Sequence, residues 1–187
     1  MSHFTKVSTK INDLNALNNA LASMNLRLEH NRPCRYYFGE ETRENVAKLP
    51  GPYDVAFEKN ADGTYAIDAD FYRGSVESVI GSNGSILMRA YAIEKLKIEA
   101  SKKRYSIREL GNGRYKVYDP LDTSGAFIEA TISDDGEITF KAKGFMGKSC
   151  MNFASLEDAM GVATRKRTEA YFQEDRRAEV LVHKEGM

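Results

Sequence analysis

Residues 53–71 read YDVAFEKNADGTYAIDADF. Tyr53, Val55 and Phe57 alternate with polar positions, as do Tyr65, Ile67, Ala69 and Phe71. Period-two alternation predicts a half-buried strand on each side of Asp62-Gly63. Asn60-Ala61-Asp62-Gly63 is turn chemistry, because glycine takes positive φ without a Cβ penalty. Residues 127–145, FIEATISDDGEITFKAKGF, repeat the object around Asp135-Gly136. Ile128, Ala130 and Ile132 share one strand face there, and Ile138, Phe140 and Ala142 share one on its mate. A third hairpin is predicted over 105–118, turning at Gly111-Asn112-Gly113.

Helical spacing fills the intervals. Leu14, Leu17, Leu21 and Met24 predict a helix over 13–24, with Asn12 as its N-cap. A strand over residues 4–11 precedes it, and a second begins at Leu26 and Leu28 until Arg32-Pro33 disturbs it. Ile86, Ala90, Ile93, Leu96 and Ala100 predict a long helix over 85–103. Phe153, Leu156, Ala159 and Met160 predict another after the second hairpin. Residues 39–52 are polar and end in Leu49-Pro50-Gly51-Pro52, so they read as a surface loop. The Gly- and Ser-rich stretch 74–84 reads as a flexible loop. The expected fold is α+β: an antiparallel sheet of β-hairpins with two to three helices packed on it, ferredoxin-like or related. The expected modules are 1–118, a linker at 119–125, a hairpin-helix module at 126–163 and a charged helical tail at 164–187.

The chain has 187 residues, with 27 basic and 27 acidic side chains and no net charge. That balance argues against a general nucleic-acid binder, leaving room only for a local patch. No apolar run reaches the roughly 20 residues that span a bilayer. The opening Met-Ser-His-Phe-Thr-Lys has no apolar signal core. Cys34 and Cys150 lie far apart and read as reduced thiols of a cytoplasmic protein.

Chemistry-bearing motifs are few. Residues 142–149, AKGFMGKS, fit a relaxed phosphate-loop pattern between a strand and a helix. The strand closes an antiparallel hairpin, however, and no later apolar strand ends in Asp to hold Mg²⁺. Triphosphate hydrolysis is therefore not expected. Gly144, Gly147, Lys148 and Ser149 read as a turn into a helix, or as an anion site at its N-terminus. Cys150, nearby, reads as a buried small hydrophobe or as an activated thiol. His30 and Cys34 lack the further ligands of a closed zinc site. Lys95, Lys97, Lys102, Lys103, Arg104 and Arg108 form a basic run that suits a helix C-terminus, or a partner or nucleic-acid patch. Tyr36, Tyr37 and Phe38 read as packing residues or as a ligand-stacking platform. No catalytic set, metal site or cofactor is expected.

Two family resemblances rest on particular residues. Met1-Ser2-His3-Phe4-Thr5-Lys6-Val7, with Thr9-Lys10-Ile11 and Asp13-Leu14, resembles the opening of the hypothetical chloroplast reading frame thirty-five family, found in cyanobacteria and algal plastids. Tyr53-Asp54-Val55, Asp62-Gly63-Thr64-Tyr65 and Ala69-Asp70 resemble its central hairpin, and Arg89-Ala90-Tyr91-Ala92 its long helix. The resemblance covers roughly residues 1–118. Relatives carry Trp after the Ala-Asp pair, where this chain has Phe71-Tyr72, and 39–52 and 73–84 resemble local insertions. Residues 127–161 resemble a second small family of unknown function, through Asp135-Gly136, Gly144, Gly147, Cys150, Leu156-Glu157 and Gly161. Neither resemblance implies an active site. The first implies a photosynthetic host or a virus of one.

These readings favour a non-enzymatic accessory or adaptor protein that binds another protein or a second copy of itself. The alternative is a small-molecule or nucleotide (anion) binding protein using the loops at 74–84 and 144–149.

Overall fold

The computed structural model describes residues 3–7, 10–144, 151–160 and 163–167. Its elements begin β1 (His3–Val7), α1 (Leu14–Ser23), β2 (Leu28–Tyr36), β3 (Gly39–Ala47), β4 (Val55–Lys59) and β5 (Tyr65–Ala69). They continue α2 (Glu77–Ile80), α3 (Ser85–Lys102), β6 (Ser106–Gly111), β7 (Arg114–Tyr118), β8 (Phe127–Ile132), β9 (Ile138–Lys143), α4 (Met151–Met160) and β10 (Ala163–Arg167). Contacts group the described residues within 10–98 and 133–137 in one unit, and those within 3–7, 99–132 and 138–167 in another. Both sheets are antiparallel and helices accompany them, so the class is α+β. Among the described residues, no helix is long and apolar enough to cross a membrane.

The first unit holds a four-stranded sheet ordered β2-β3-β4-β5. Ala47, Val55 and Phe57 from the strands, Leu17 and Leu21 from α1, and Leu87 and Tyr91 from α3 make its main core. Leu17 and Leu21 stand one turn apart with Ala16 and Ala20 beside them, which gives α1 a single buried stripe. The N-cap is Asp13, not Asn12. The Asp13 carboxylate accepts from the N–H groups of Asn15 and Ala16 at 3.0 and 3.2 Å. Asn12 is otherwise engaged: the Tyr91 hydroxyl accepts from its N–H at 3.0 Å and donates to its Oδ1 at 3.1 Å. Lys95 reaches Asp13 at 3.1 Å. Burial alone would raise the Asp13 carboxyl, but Lys95 and the helix N–H groups outweigh it and hold it low.

Two stretches read as loops are ordered elements. Residues 39–47 are strand β3, paired with β2 from Leu28↔Ala47 to Tyr36↔Gly39. Glu40, Glu41, Thr42 and Glu44 are exposed, and burial is confined to Asn45, Val46 and Ala47, so period-two alternation never shows. Pro33 is tolerated because β2 is an edge strand. The 74–84 stretch folds as short 3-10 turns at Tyr72–Gly74 and Ser82–Gly84 around α2. Buried Val76 and Ile80 anchor it, while Arg73 and Asn83 take left-handed φ at the corners.

The second unit holds a six-stranded sheet ordered β10-β1-β9-β8-β7-β6. Alternation buries Val117, Ile128, Ala130, Ile138, Phe140 and Ala142 on one face. β7 and β8 are neighbours, so residues 119–125 connect adjacent strands of one sheet. Helix α4 lies against β1 and buries Leu156 and Met160. The hairpins are divided between two antiparallel sheets accompanied by helices, the α+β arrangement the sequence predicts; whether they share one sheet is a point the sequence leaves open. The division follows from long-range pairing: β1 joins β9 and β10 rather than β2, and local periodicity carries no signal for that. Residues 164–167, read as the start of a helical tail, belong to strand β10. Residues 168–187 lie outside the described residues.

Candidate functional site

The β2–β3 hairpin projects Tyr37 and Phe38 at its tip. Phe38 is 95% exposed, Tyr37 51% and Tyr72, from the turn after β5, 46%. The rings are ordered against one another. Tyr37 meets Phe38 edge-on at 4.6 Å between centroids, Tyr72 at 4.8 Å and Tyr53 at 6.4 Å. The Arg73 guanidinium sits 5.1 Å from the Tyr72 ring. Asp70 ties the two segments together, accepting from the N–H of Tyr37 and from that of Tyr72, each at 2.9 Å.

Beside the tip lies an open cleft of about 340 Å³ lined by Tyr36, Phe38, Gly39, Glu40, Glu41, Arg43 and Asp68. Arg43 organises it, pairing with Glu41 and Glu58 at 2.8 Å and with Asp68 at 3.4 Å. The Tyr36 hydroxyl donates to Asp68 at 2.8 Å and accepts from Arg43 Nε at 3.2 Å. Three carboxylates and one guanidinium line the cleft, so the local charge is negative. Tyr36, which lines the cleft, also packs against a small apolar cluster of Cys34, Val46 and Ala56. Val46 and Ala56 are cross-strand partners that alternate with Ala47 and Val55, so this cluster lies on the sheet face opposite the main core.

The titratable groups near the cleft are buried or paired. Burial pushes the Tyr36 hydroxyl up, and its hydrogen bonds to Cys34 and Asp68 push it further. Burial also raises the Cys34 thiol, which is free and fully buried. A protonated, enclosed thiol is a poor nucleophile. The fully buried Asp54 carboxylate is likewise occupied. It accepts from Arg35 Nε and Nη2 at 2.9 and 2.7 Å, Lys48 Nζ at 2.9 Å, and the N–H groups of Arg35 and Leu49 at 3.1 Å. Burial alone would raise it; these donors outweigh burial and hold it at about 2.

Of the anion-site residues read from sequence, Gly144 closes β9 with φ at 76°, its missing Cβ lying 3.3 Å from Ala126 Cα. Gly147, Lys148 and Ser149, with Cys150, lie outside the described residues. His30 and Cys34 share β2, but the Nδ1 of His30 bonds Asn45 Oδ1 at 2.9 Å while Cys34 sits in the apolar cluster. Among the described residues, no group of three or more His, Cys, Asp and Glu could hold a metal. Sequence marked Tyr36, Tyr37 and Phe38. It missed Glu40, Glu41, Arg43 and Asp68 because β3 reads as a loop, and Tyr72 because its proximity to Tyr37 is tertiary. The available signal was an aromatic run followed at once by Gly39 and a carboxylate-rich stretch, the composition of an exposed hairpin.

Residues 128–172 match the profile of a family described as Protein of unknown function (DUF2997), in the same stretch whose sequence resembles a second small family of unknown function. No curated protein and no solved structure matches the chain.

Proposed function

We propose that this chain is a non-enzymatic, cytoplasmic adaptor that docks another protein on the Tyr37-Phe38 hairpin tip and the acidic cleft beside it. The observation that carries the reading is Phe38, a large apolar side chain held almost wholly in solvent by an ordered aromatic support. Exposed aromatic clusters with a polar rim mark interaction sites, and rigid aromatic anchors dominate interface energetics. The surplus of carboxylates around Arg43 favours a partner with a basic segment. Resemblance of residues 1–118 to the chloroplast reading-frame family, beside the family match at 128–172, supports two modules serving one assembly.

Native mass spectrometry of the protein isolated from its host tests this. The wild-type chain should carry a protein at fixed stoichiometry, and Phe38→Ser should lose it while keeping its circular dichroism. Retention of that partner by the Phe38→Ser chain would move docking elsewhere. Turnover abolished by a point substitution would end the non-enzymatic reading.

A further inference from the structure

The zero net charge of the chain conceals an uneven distribution. On the six-stranded sheet, the face opposite the buried alternation of Val117, Ile128 and Phe140 carries basic and aromatic side chains. Register sets Arg108, Lys116, Glu129 and Lys141 in one row across β6, β7, β8 and β9. Arg114 stands opposite Thr131 in the next row, and Lys143 opposite Phe127 in the row on the other side. On these strands the face therefore holds Arg108, Arg114, Lys116, Lys141 and Lys143 against Glu129 alone.

Stability does not account for that arrangement. Like charges directly opposed across a ladder, such as Arg108 and Lys116, are unfavourable. Glu129 is engaged by Lys143 at 3.0 Å. Among the described residues, no carboxylate pairs with Arg108, Arg114 or Lys141. Two rings lie between the cations. The Lys116 ammonium sits 4.5 Å from the Phe127 centroid and 5.2 Å from that of Tyr118. Lys143 approaches Phe127 at 5.9 Å. Tyr118 and Phe127 are both only partly buried.

We propose that this face binds single-stranded nucleic acid, with phosphates on Arg108, Lys116 and Lys141 and bases over Tyr118 and Phe127. The combination of cations and rings decides the class. Anionic lipid or an acidic protein segment would engage the cations and leave the rings idle. A duplex keeps its bases stacked away from a flat sheet, whereas unstacked bases lie on aromatic side chains of an open sheet. The proposal uses no residue of the aromatic hairpin tip and stands or falls independently of it.

Fluorescence anisotropy of a labelled oligothymidylate with the full chain tests the proposal. Binding should weaken as salt rises, and Lys116→Gln should make the log–log salt slope shallower by about 0.7, as for one lost phosphate contact on a single strand. Phe127→Ala should weaken binding roughly five- to a hundredfold with the slope unchanged. Phe38→Ser should bind like wild type. No binding at low salt, or an unaltered slope in the surface variant Lys116→Gln, would overturn the proposal. Equal affinity in Phe127→Ala, with competition by polyglutamate or phosphatidylserine vesicles, would overturn it in favour of a polyanion held by charge alone.

Discussion

The hairpins β4–β5 and β8–β9 close through the same five-residue turn. Asn60 N–H donates to the Thr64 carbonyl at 2.7 Å and Gly63 N–H to that of Asn60 at 3.0 Å. The counterparts, Ser133 to Glu137 and Gly136 to Ser133, measure 2.9 and 3.1 Å. Gly63 and Gly136 have φ of 82° and 83°. Their packing differs all the same. β8 and β9 alternate between the buried face and the other face from end to end. β4 buries Val55, Ala56 and Phe57 in succession and exposes its last two residues. Val55 and Phe57 meet the helices, while Ala56 meets Cys34 and Val46 on the opposite face. Local alternation says which side chains share a face; how many faces become covered is set by distant segments.

Removing one carboxylate from each hairpin, Asp54 before β4 and Glu129 within β8, should expose that difference most strongly. Asp54 is fully buried and accepts from two partly exposed cations and two backbone N–H groups, so Asp54→Ala should cost about 2–3 kcal/mol, the loss expected when a buried hydrogen-bonded charge is removed. Glu129, paired with the partly exposed Lys143, should cost at most about 1 kcal/mol when changed to Ala. Urea denaturation followed through the amides of each hairpin would measure both. Equal losses would mean that the two-sided packing around Asp54 adds nothing.

The turn glycines invert the ranking. A Cβ at Gly63 would meet nothing within 4 Å, so Gly63→Ala carries only the left-handed backbone penalty, about 1–2 kcal/mol. A Cβ at Gly136 would lie 2.6 Å from the Met88 carbonyl carbon and oxygen in α3, and backbone cannot swing aside as a side chain does. Gly136→Ala should therefore cost about 2–4 kcal/mol, adding overpacking to the same penalty. Thermal melts of the two variants would rank them; a Gly63→Ala chain as unstable as Gly136→Ala would remove the close approach as the cause.

These contrasts show what the sequence makes legible. Hairpins turning at Gly63, Gly113 and Gly136 and the long helix from Ser85 are readable because each has a local period and a turn residue with a steric reason. Strand β3 is not, since its pairing energy comes from the backbone of β2 and its side chains stay polar until Asn45. The Asn12–Tyr91 clasp is equally hidden, joining residues far apart in sequence and displacing the cap by one position to Asp13. At the candidate site, Tyr37 and Phe38 are visible as aromatics, but their exposure depends on the tip geometry that β3 creates. The basic face of the larger sheet needs the register of four strands, which no single segment contains.

Acid should act on the first hairpin through Asp54. Its folded pKa of about 2 lies below the ordinary 3.8, so the stabilisation is present above about pH 4 and disappears as pH falls through 2. The difference corresponds to about 2 kcal/mol. Asp13, also held low, works in the same direction at the start of α1. In hydrogen exchange, protection of the Phe57 and Ile67 amides should therefore drop between pH 4 and 2, after correction for the intrinsic rate. Asp54→Asn removes the titrating group, so that chain should begin less protected and lose less over the same interval. An identical acid-induced loss in Asp54→Asn would place the acid sensitivity elsewhere and leave the buried carboxylate with a purely geometric role in joining β4 to Arg35 and Lys48.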